Sequence, residues 1–194
     1  MSDMDDRLPQ PVHRGHAPTS APGDLELVRG FLSLHDRARD SSAPSTDALA
    51  WFLRTNGLLP DTTEIDAADA AWAFAVRAAL VAKVRENMGG SMDAAMAERL
   101  NICAVETGLR PRFDGPRLDP TAGGVRGAVG VLLGIAFMAE LDGSWHRFRL
   151  CANPECGTVF YDRSKNHSAR WCSMQVCGNR HKVRAFRERH TAAT

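Results

Sequence analysis

Cys151-Ala152-Asn153-Pro154-Glu155-Cys156 and Cys172-Ser173-Met174-Gln175-Val176-Cys177 are two cysteine pairs of equal internal spacing, with fifteen residues between them. Two close pairs joined by a loop of that length suit a tetrahedral four-thiolate metal site. Each pair supplies two sulfurs from one short turn, and the intervening chain makes the connection. Soft thiolates in a tetrahedral set select zinc, with an iron–sulfur cluster as the rival occupant. His167 or His181 could replace one cysteine, although Cys151, Cys156, Cys172 and Cys177 already complete the set. One structural zinc held this way has no open position for water, which argues against hydrolysis at the metal.

The flanking residues fit a knuckle, hairpin and helix, a treble-clef-like arrangement. Trp145 to Leu150 alternates as a strand does, with Trp145, Arg147 and Arg149 on one side and His146, Phe148 and Leu150 on the other. Asn153, Pro154 and Gly157 are turn residues, and Thr158 to Tyr161 is a β-branched and aromatic return strand. Asp162 to Ala169 is a polar loop, and Cys172 and Cys177 open a final helix. A module of about 50 residues builds little core alone. Structural zinc contributes about 10–16 kcal/mol in zinc-finger peptides, so metal removal should unfold this end.

The helix after the second pair is basic. At about 100° per residue, Arg180, Arg184 and Arg187 form one stripe, Val183, Phe186 and His190 form an adjacent apolar stripe expected to dock on the hairpin, and Lys182 and Arg189 emerge opposite. Residues 144–194 hold ten Lys and Arg against three acids, net +7, whereas residues 1–143 are net −6. An acidic body with a basic end implies two roles, the basic end facing a polyanion. Arg180, Lys182, Arg184, Arg187, Lys165 and Arg170 are the candidate nucleic-acid contacts, made through phosphates and guanine edges. The plainer reading is a solvated helix whose charges keep a small module soluble.

Upstream the chain reads as helical. With 44% hydrophobic and 24% charged residues it has a globular balance. Residues 1–23 read as a disordered tail, with His13 and His16 solvated. Their lack of an apolar run argues against a secretory signal, which points to a reducing, cytoplasmic setting and to thiols as ligands rather than disulfides. The longest uncharged stretch, 127–139, is short of the ~20 residues that span a bilayer. Residues 24–143 are expected to form a helical domain. Leu25, Val28, Phe31, Leu32 and His35 define a first helix to about residue 38, followed by a loop over Asp40 to Ser45. A second, from Thr46 to Asn56 with Gly57 beyond, buries Leu49, Trp51, Phe52 and Leu53. Asp61, Thr62 and Thr63 cap a third, alanine-rich helix that runs to Asn87, with Thr63 and Asp66 at capping-box spacing. A fourth covers 92–106 and carries Cys103 as a core thiol. Residues 110–124 allow a short β-hairpin or an irregular crossing. A strongly apolar fifth helix covers 125–141, in which Gly127, Gly130 and Gly134 serve either close packing or a small-molecule cavity. Residues 142–144 mark the boundary with the finger at 144–190, and 191–194 is a tail.

Cys172 to Arg180, preceded by Phe160-Tyr161-Asp162-Arg163-Ser164-Lys165-Asn166 and by Arg170-Trp171, resembles the CGNR zinc finger, a bacterial family named for the tetrapeptide at 177–180. The resemblance implies that the four cysteines hold zinc and that Gly178, Asn179 and Arg180, with Trp171 ahead of them, form a structural signature. Gly178 permits close backbone approach, Asn179 caps the helix or bonds a cysteine sulfur, and Arg180 stacks on Trp171 or reaches phosphate. Members of the family pair the finger with a helical ABATE domain and are described as stress-induced transcription regulators. Leu27 to Phe31, Asp47 to Leu53 and Gly57 to Leu59 are similar to the opening helices of that domain. Two departures stand out: Lys165 replaces an Arg, losing its bidentate fork, and Phe31-Leu32-Ser33-Leu34 replaces Phe-Val-Asn-Thr. An effector bound by that Asn-Thr pair would be changed or lost here.

The expectation is therefore a mainly α protein: a helical domain with a short hairpin or irregular insert, then a small zinc finger that binds DNA, the body sensing a small-molecule effector or mediating assembly. Rival readings are a zinc-stiffened adaptor for an acidic protein, and an RNA binder stacking bases on Trp145, Phe160 or Tyr161. No Ser-His-Asp set, phosphate loop or open metal triad suggests an enzyme.

Overall fold

The computed structural model describes residues 20–34 and 45–191, apart from the side chains of 185 and 188–191. The expectations for residues 1–19, for the first helix beyond 34, for the loop at 40–44, for the tail at 192–194, and for the side chains of Arg189 and His190 lie outside those residues. Among the described residues the fold is mainly α: α1 (Leu25–Leu32), α2 (Thr46–Thr55), α3 (Ala67–Glu86), α4 (Ala94–Thr107), the strands β1 (Arg110–Arg112) and β2 (Arg117–Asp119), α5 (Gly124–Leu141), a 3-10 turn (Ser144–Arg147), β3 (Phe148–Leu150), β4 (Val159–Tyr161), a π turn (Met174–Gly178) and α6 (Asn179–Thr191).

Side-chain caps set the helix starts. Ser45 accepts from the Ala48 amide and Asp93 from that of Ala95. The third helix starts later than the Thr63 spacing implies, because Asp66 itself accepts from the Asp69 amide and becomes the cap. In α2, Leu49, Ala50, Phe52 and Leu53 are buried while Trp51 is exposed. At 100° per residue Trp51 points away from the Leu49–Phe52–Leu53 face, which corrects its assignment to the core. Gly108 ends α4 in the left-handed conformation at φ 64°, and the chain then turns into the β1–β2 hairpin.

Helix α5 is apolar and long enough to cross a membrane by composition, but ten of its eighteen residues are buried and it is the central core helix. Its glycines serve packing, and Gly134 also lines a pocket of about 380 Å³ between α1, β2 and α5. A Cβ at Gly130 would come 2.7 Å from Pro120 Cβ and 2.9 Å from Thr107 Cβ, and one at Gly134 would meet the Leu118 carbonyl oxygen at 2.6 Å. Both approaches are closer than real Cβ contacts, so the segment around β2 lies flat on α5 only because those side chains are missing.

A buried cation joins α3 to α1. Arg77, 5% exposed, donates from Nε to the Phe31 carbonyl at 3.2 Å and from Nη2 to the Leu32 carbonyl, closing the C-terminal end of α1. Burial pulls its guanidinium down to about 10, still well above neutrality.

The β3–β4 hairpin belongs to this same core. Phe148 pairs with Tyr161, Arg149 with Phe160 and Leu150 with Val159. The period-2 alternation turns Phe148, Val159 and Tyr161 into the helical body, together with Trp145, while Phe160 faces the cysteines. Trp145 packs against Phe148 with the rings tilted and their centroids 5.0 Å apart, and Phe148 meets Tyr161 edge-on at 5.4 Å. Trp145 is thus on the core side, not with Arg147 and Arg149, because residues 144–147 form a 3-10 turn that breaks the strand alternation. Asn87 Nδ2 donates to the carbonyls of Trp145 (2.8 Å) and Phe148 (3.1 Å), and Ser33 Oγ donates to the Val159 carbonyl at 3.2 Å. Ser33 is therefore occupied in joining α1 to the hairpin, and Leu34 is buried in the core.

Candidate metal centre and basic helix

The sulfurs of Cys151, Cys156, Cys172 and Cys177 all lie within 4.8 Å of one another. Cys156 Sγ is 3.6 Å from Cys172 Sγ, which is 3.7 Å from Cys177 Sγ. Zn–S bonds of about 2.3 Å in a tetrahedron place sulfurs about 3.8 Å apart, so the cluster has the dimensions of a zinc site. Two local turns build it. In the first, the Cys151 amide donates to the Thr158 carbonyl and the Cys156 amide to the Asn153 carbonyl. In the second, Ser173 caps the π turn through the Val176 amide, and its carbonyl accepts from Cys177. Ala152 N donates to the Arg170 carbonyl, tying one turn to the other.

The donor chemistry also calls for a cation. Hydrogen bonding from Cys151 and Cys172 holds the Cys156 thiol far below its ordinary value. Hydrogen bonding with the Cys156 sulfur pushes the Cys151 thiol up to about 12, and hydrogen bonding with both sulfurs pushes Cys172 up further. A divalent ion supports four thiolates together. The outer contacts favour sulfur anions. Asn153 Nδ2 donates to Cys177 Sγ at 3.8 Å, and the Thr158 hydroxyl lies 3.1 Å from Cys156 Sγ. Both residues are buried.

The signature residues divide. Gly178 is needed for close approach: a Cβ there would come 2.9 Å from Met174 Sδ and 3.5 Å from Trp171 Cδ1. Asn179 is exposed at the junction of the π turn and α6, and the sulfur contact expected of it is made by Asn153 instead. Asn153 reads as a turn former in sequence, and its amide lies too far along the chain from Cys177 for spacing to link them. Trp171 takes Arg170 over its ring at 5.5 Å and His181 against it at 4.8 Å, the place expected for Arg180.

Of the candidate nucleic-acid contacts, Arg180, Lys182 and Arg187 are exposed on α6, and Lys165 and Arg170 are exposed before it. Arg184 is exposed as well, and its Nη2 donates to Glu155 Oε1 at 2.7 Å, pinning α6 to the first cysteine turn. Val183 and Phe186 are 50% and 55% exposed, so these two members of the apolar stripe are not buried on the hairpin as expected. The hairpin's apolar residues are already committed to the helical body and the cysteines, which leaves α6 projecting from the π turn. Trp145, Phe160 and Tyr161 are buried and offer no face for stacking a base. Arg147 and Arg149 are spent on the loop after β4: Arg147 Nη1 donates to the Asp162 carbonyl at 3.0 Å and Arg149 Nη2 to that of His167 at 2.8 Å.

These features define a knuckle–hairpin–helix zinc finger with a closed four-thiolate site. Residues 147–190 match the family described as the CGNR zinc finger. No curated protein matches the chain.

Proposed function

We propose that the protein is a zinc-dependent transcription regulator, in which the finger binds duplex DNA through α6 and the helical body senses an effector. The observation that carries this reading is the projecting α6, with Arg180, Lys182 and Arg187 exposed on a zinc-anchored base within a segment of net charge +7. Guanidinium and ammonium groups so held suit phosphate contacts, and the first turns of an exposed helix suit the major groove. Arg184 belongs to the helix's own anchorage, though an exposed ion pair worth about 0–1 kcal/mol can open toward a phosphate. The resemblance of the body to the ABATE domain supports the regulatory part, as does its lack of involvement in the metal site.

Binding to a mixed-sequence duplex, titrated at several salt concentrations, tests this. Log K should fall with log salt at about −0.9 per phosphate, with roughly three to five phosphates engaged. The triple substitution Arg180→Ala, Lys182→Ala, Arg187→Ala should reduce the slope by about two to three. Unchanged affinity and slope in that variant would overturn the reading. A second reading, a protein-docking helix, is favoured by the exposed Val183 and Phe186, and predicts that their replacement by Ser abolishes partner binding while sparing DNA.

A further inference from the structure

A cavity of about 420 Å³ lies between α3, α4 and α5, with Leu100, Leu133 and Phe137 among its apolar walls. It is not the site that the α5 glycines suggested, for none of them lines it. Glu140 and Trp145 both line it, and each carries a buried atom that has no hydrogen-bond partner in the protein: Glu140 Oε2 and Trp145 Nε1. Glu140 Oε1 is held by Lys83 Nζ at 3.2 Å, and Lys83 also meets Glu86 at 3.4 Å, so that ammonium is already shared between two carboxylates.

We infer that this cavity binds a small neutral amphiphile whose polar part offers both a hydrogen-bond acceptor and a donor, as a carboxamide or hydroxyl does. The volume is within the range of small-molecule pockets. At about 30 Å³ for a water's share of liquid, it holds a ligand of roughly a dozen non-hydrogen atoms. The head is dictated by the two unspent groups. An indole N–H can only donate and a carboxylate can only accept. An anionic head would answer Trp145 but face the Glu140 charge. A cationic head would answer Glu140 and leave the buried N–H unpaired, at the cost that such groups carry. A neutral head with both functions satisfies the pair, and an aliphatic tail of about eight carbons covers the apolar walls.

This inference rests on the reading of the helical body as the sensing part, and it places the sensed molecule against a residue of direct consequence for the finger. Trp145 packs against Phe148 of β3, and β3 runs into Cys151.

The test uses the full zinc-loaded chain, without DNA, so that its outcome is independent of DNA binding. Octanamide is titrated by calorimetry, with octanoate as the charged control, and the Trp indole N–H resonances are followed in parallel. The expected result is saturable one-to-one binding of octanamide, at least tenfold weaker binding of octanoate, and a shift of the Trp145 indole resonance. Trp145→Phe removes one buried donor and should weaken octanamide roughly tenfold. Ala104→Phe, at a half-buried wall position of α4, should abolish binding, and it keeps the test decisive if Trp145→Phe does not fold. No saturable binding by the wild type, or binding that Ala104→Phe leaves unchanged, overturns the inference.

Discussion

Stripping the metal should divide the C-terminal end into a part that melts and a part that stays. The hairpin is held from the body side by Trp145, Phe148, Val159 and Tyr161. At about 1.5–3 kcal/mol per buried large side chain, these four contribute roughly 6–12 kcal/mol. Ordering the nine residues 145–150 and 159–161 costs about 9–18 kcal/mol, and the three hydrogen bonds from Asn87 and Ser33 add about 1 kcal/mol each to the favourable side. From the body side the hairpin is thus close to balance without the metal, where the cysteine turns are far from it. On the metal side only Phe160 is a large buried apolar residue, against a cysteine turn, a polar loop and a π turn whose ordering costs about 1–2 kcal/mol for every residue. Without the zinc contribution of about 10–16 kcal/mol those segments cannot remain folded. Hydrogen exchange read by mass spectrometry, with and without a strong chelator, measures this. Peptides covering 151–157 and 162–178 should approach free-chain exchange. Peptides covering 145–150 and 159–161 should keep protection, and the body should keep its cooperative thermal transition. Equal loss of protection in strands and cysteine turns, or persistent protection of 151–157 in the apo protein, would refute the reasoning.

Three further outcomes are expected. Arg77→Met leaves the Phe31 and Leu32 carbonyls unanswered in the core while relieving a buried charge, and should destabilise by about 2–4 kcal/mol, or roughly 4–16 °C in Tm by calorimetry. Asn153→Ala removes the donor to Cys177 Sγ and should lower zinc affinity about 10–100-fold in chelator competition. Burial acts to raise the Asp162 carboxyl, but hydrogen bonds from Ser164 and the Ala169 amide overcome it and hold the group below its ordinary 3.8. Its contribution is therefore complete above the unfolded value and is lost as pH falls through the lower folded one. Exchange at Ser164 and Ala169 should accelerate only below about pH 4, and Asp162→Asn should remove that step.

The metal ligands were legible because two equal cysteine pairs constrain the chemistry without reference to tertiary structure. Helices α2 to α5 were legible to within a few residues from apolar period and caps, and the insert at 110–124 from its prolines and glycines. What escaped depended on contacts distant in sequence. Trp145 looked like a strand residue until a 3-10 turn redirected it inward. Val183 and Phe186 looked like a docking stripe, but the hairpin they were to cover had already spent its faces on the body and the cysteines. Asn153 made the sulfur contact that was one of the two roles open to Asn179, because the cysteine turns fold against each other, a proximity that spacing does not encode. Arg184 was counted among free charges because Glu155 lies 29 residues away along the chain.

The hairpin's burial in the helical core has a geometric consequence. Zinc fingers strung on linkers swing independently and conform to whatever groove they meet. Here the metal-bearing end grows directly out of the body's packing, with Trp145 wedged where a linker would run. The chain behaves as a calliper jaw rather than a tethered probe. Two associated copies would hold their cysteine clusters at one separation, dictated by how the bodies meet. Any molecule that altered the seating of Trp145 would reset that distance.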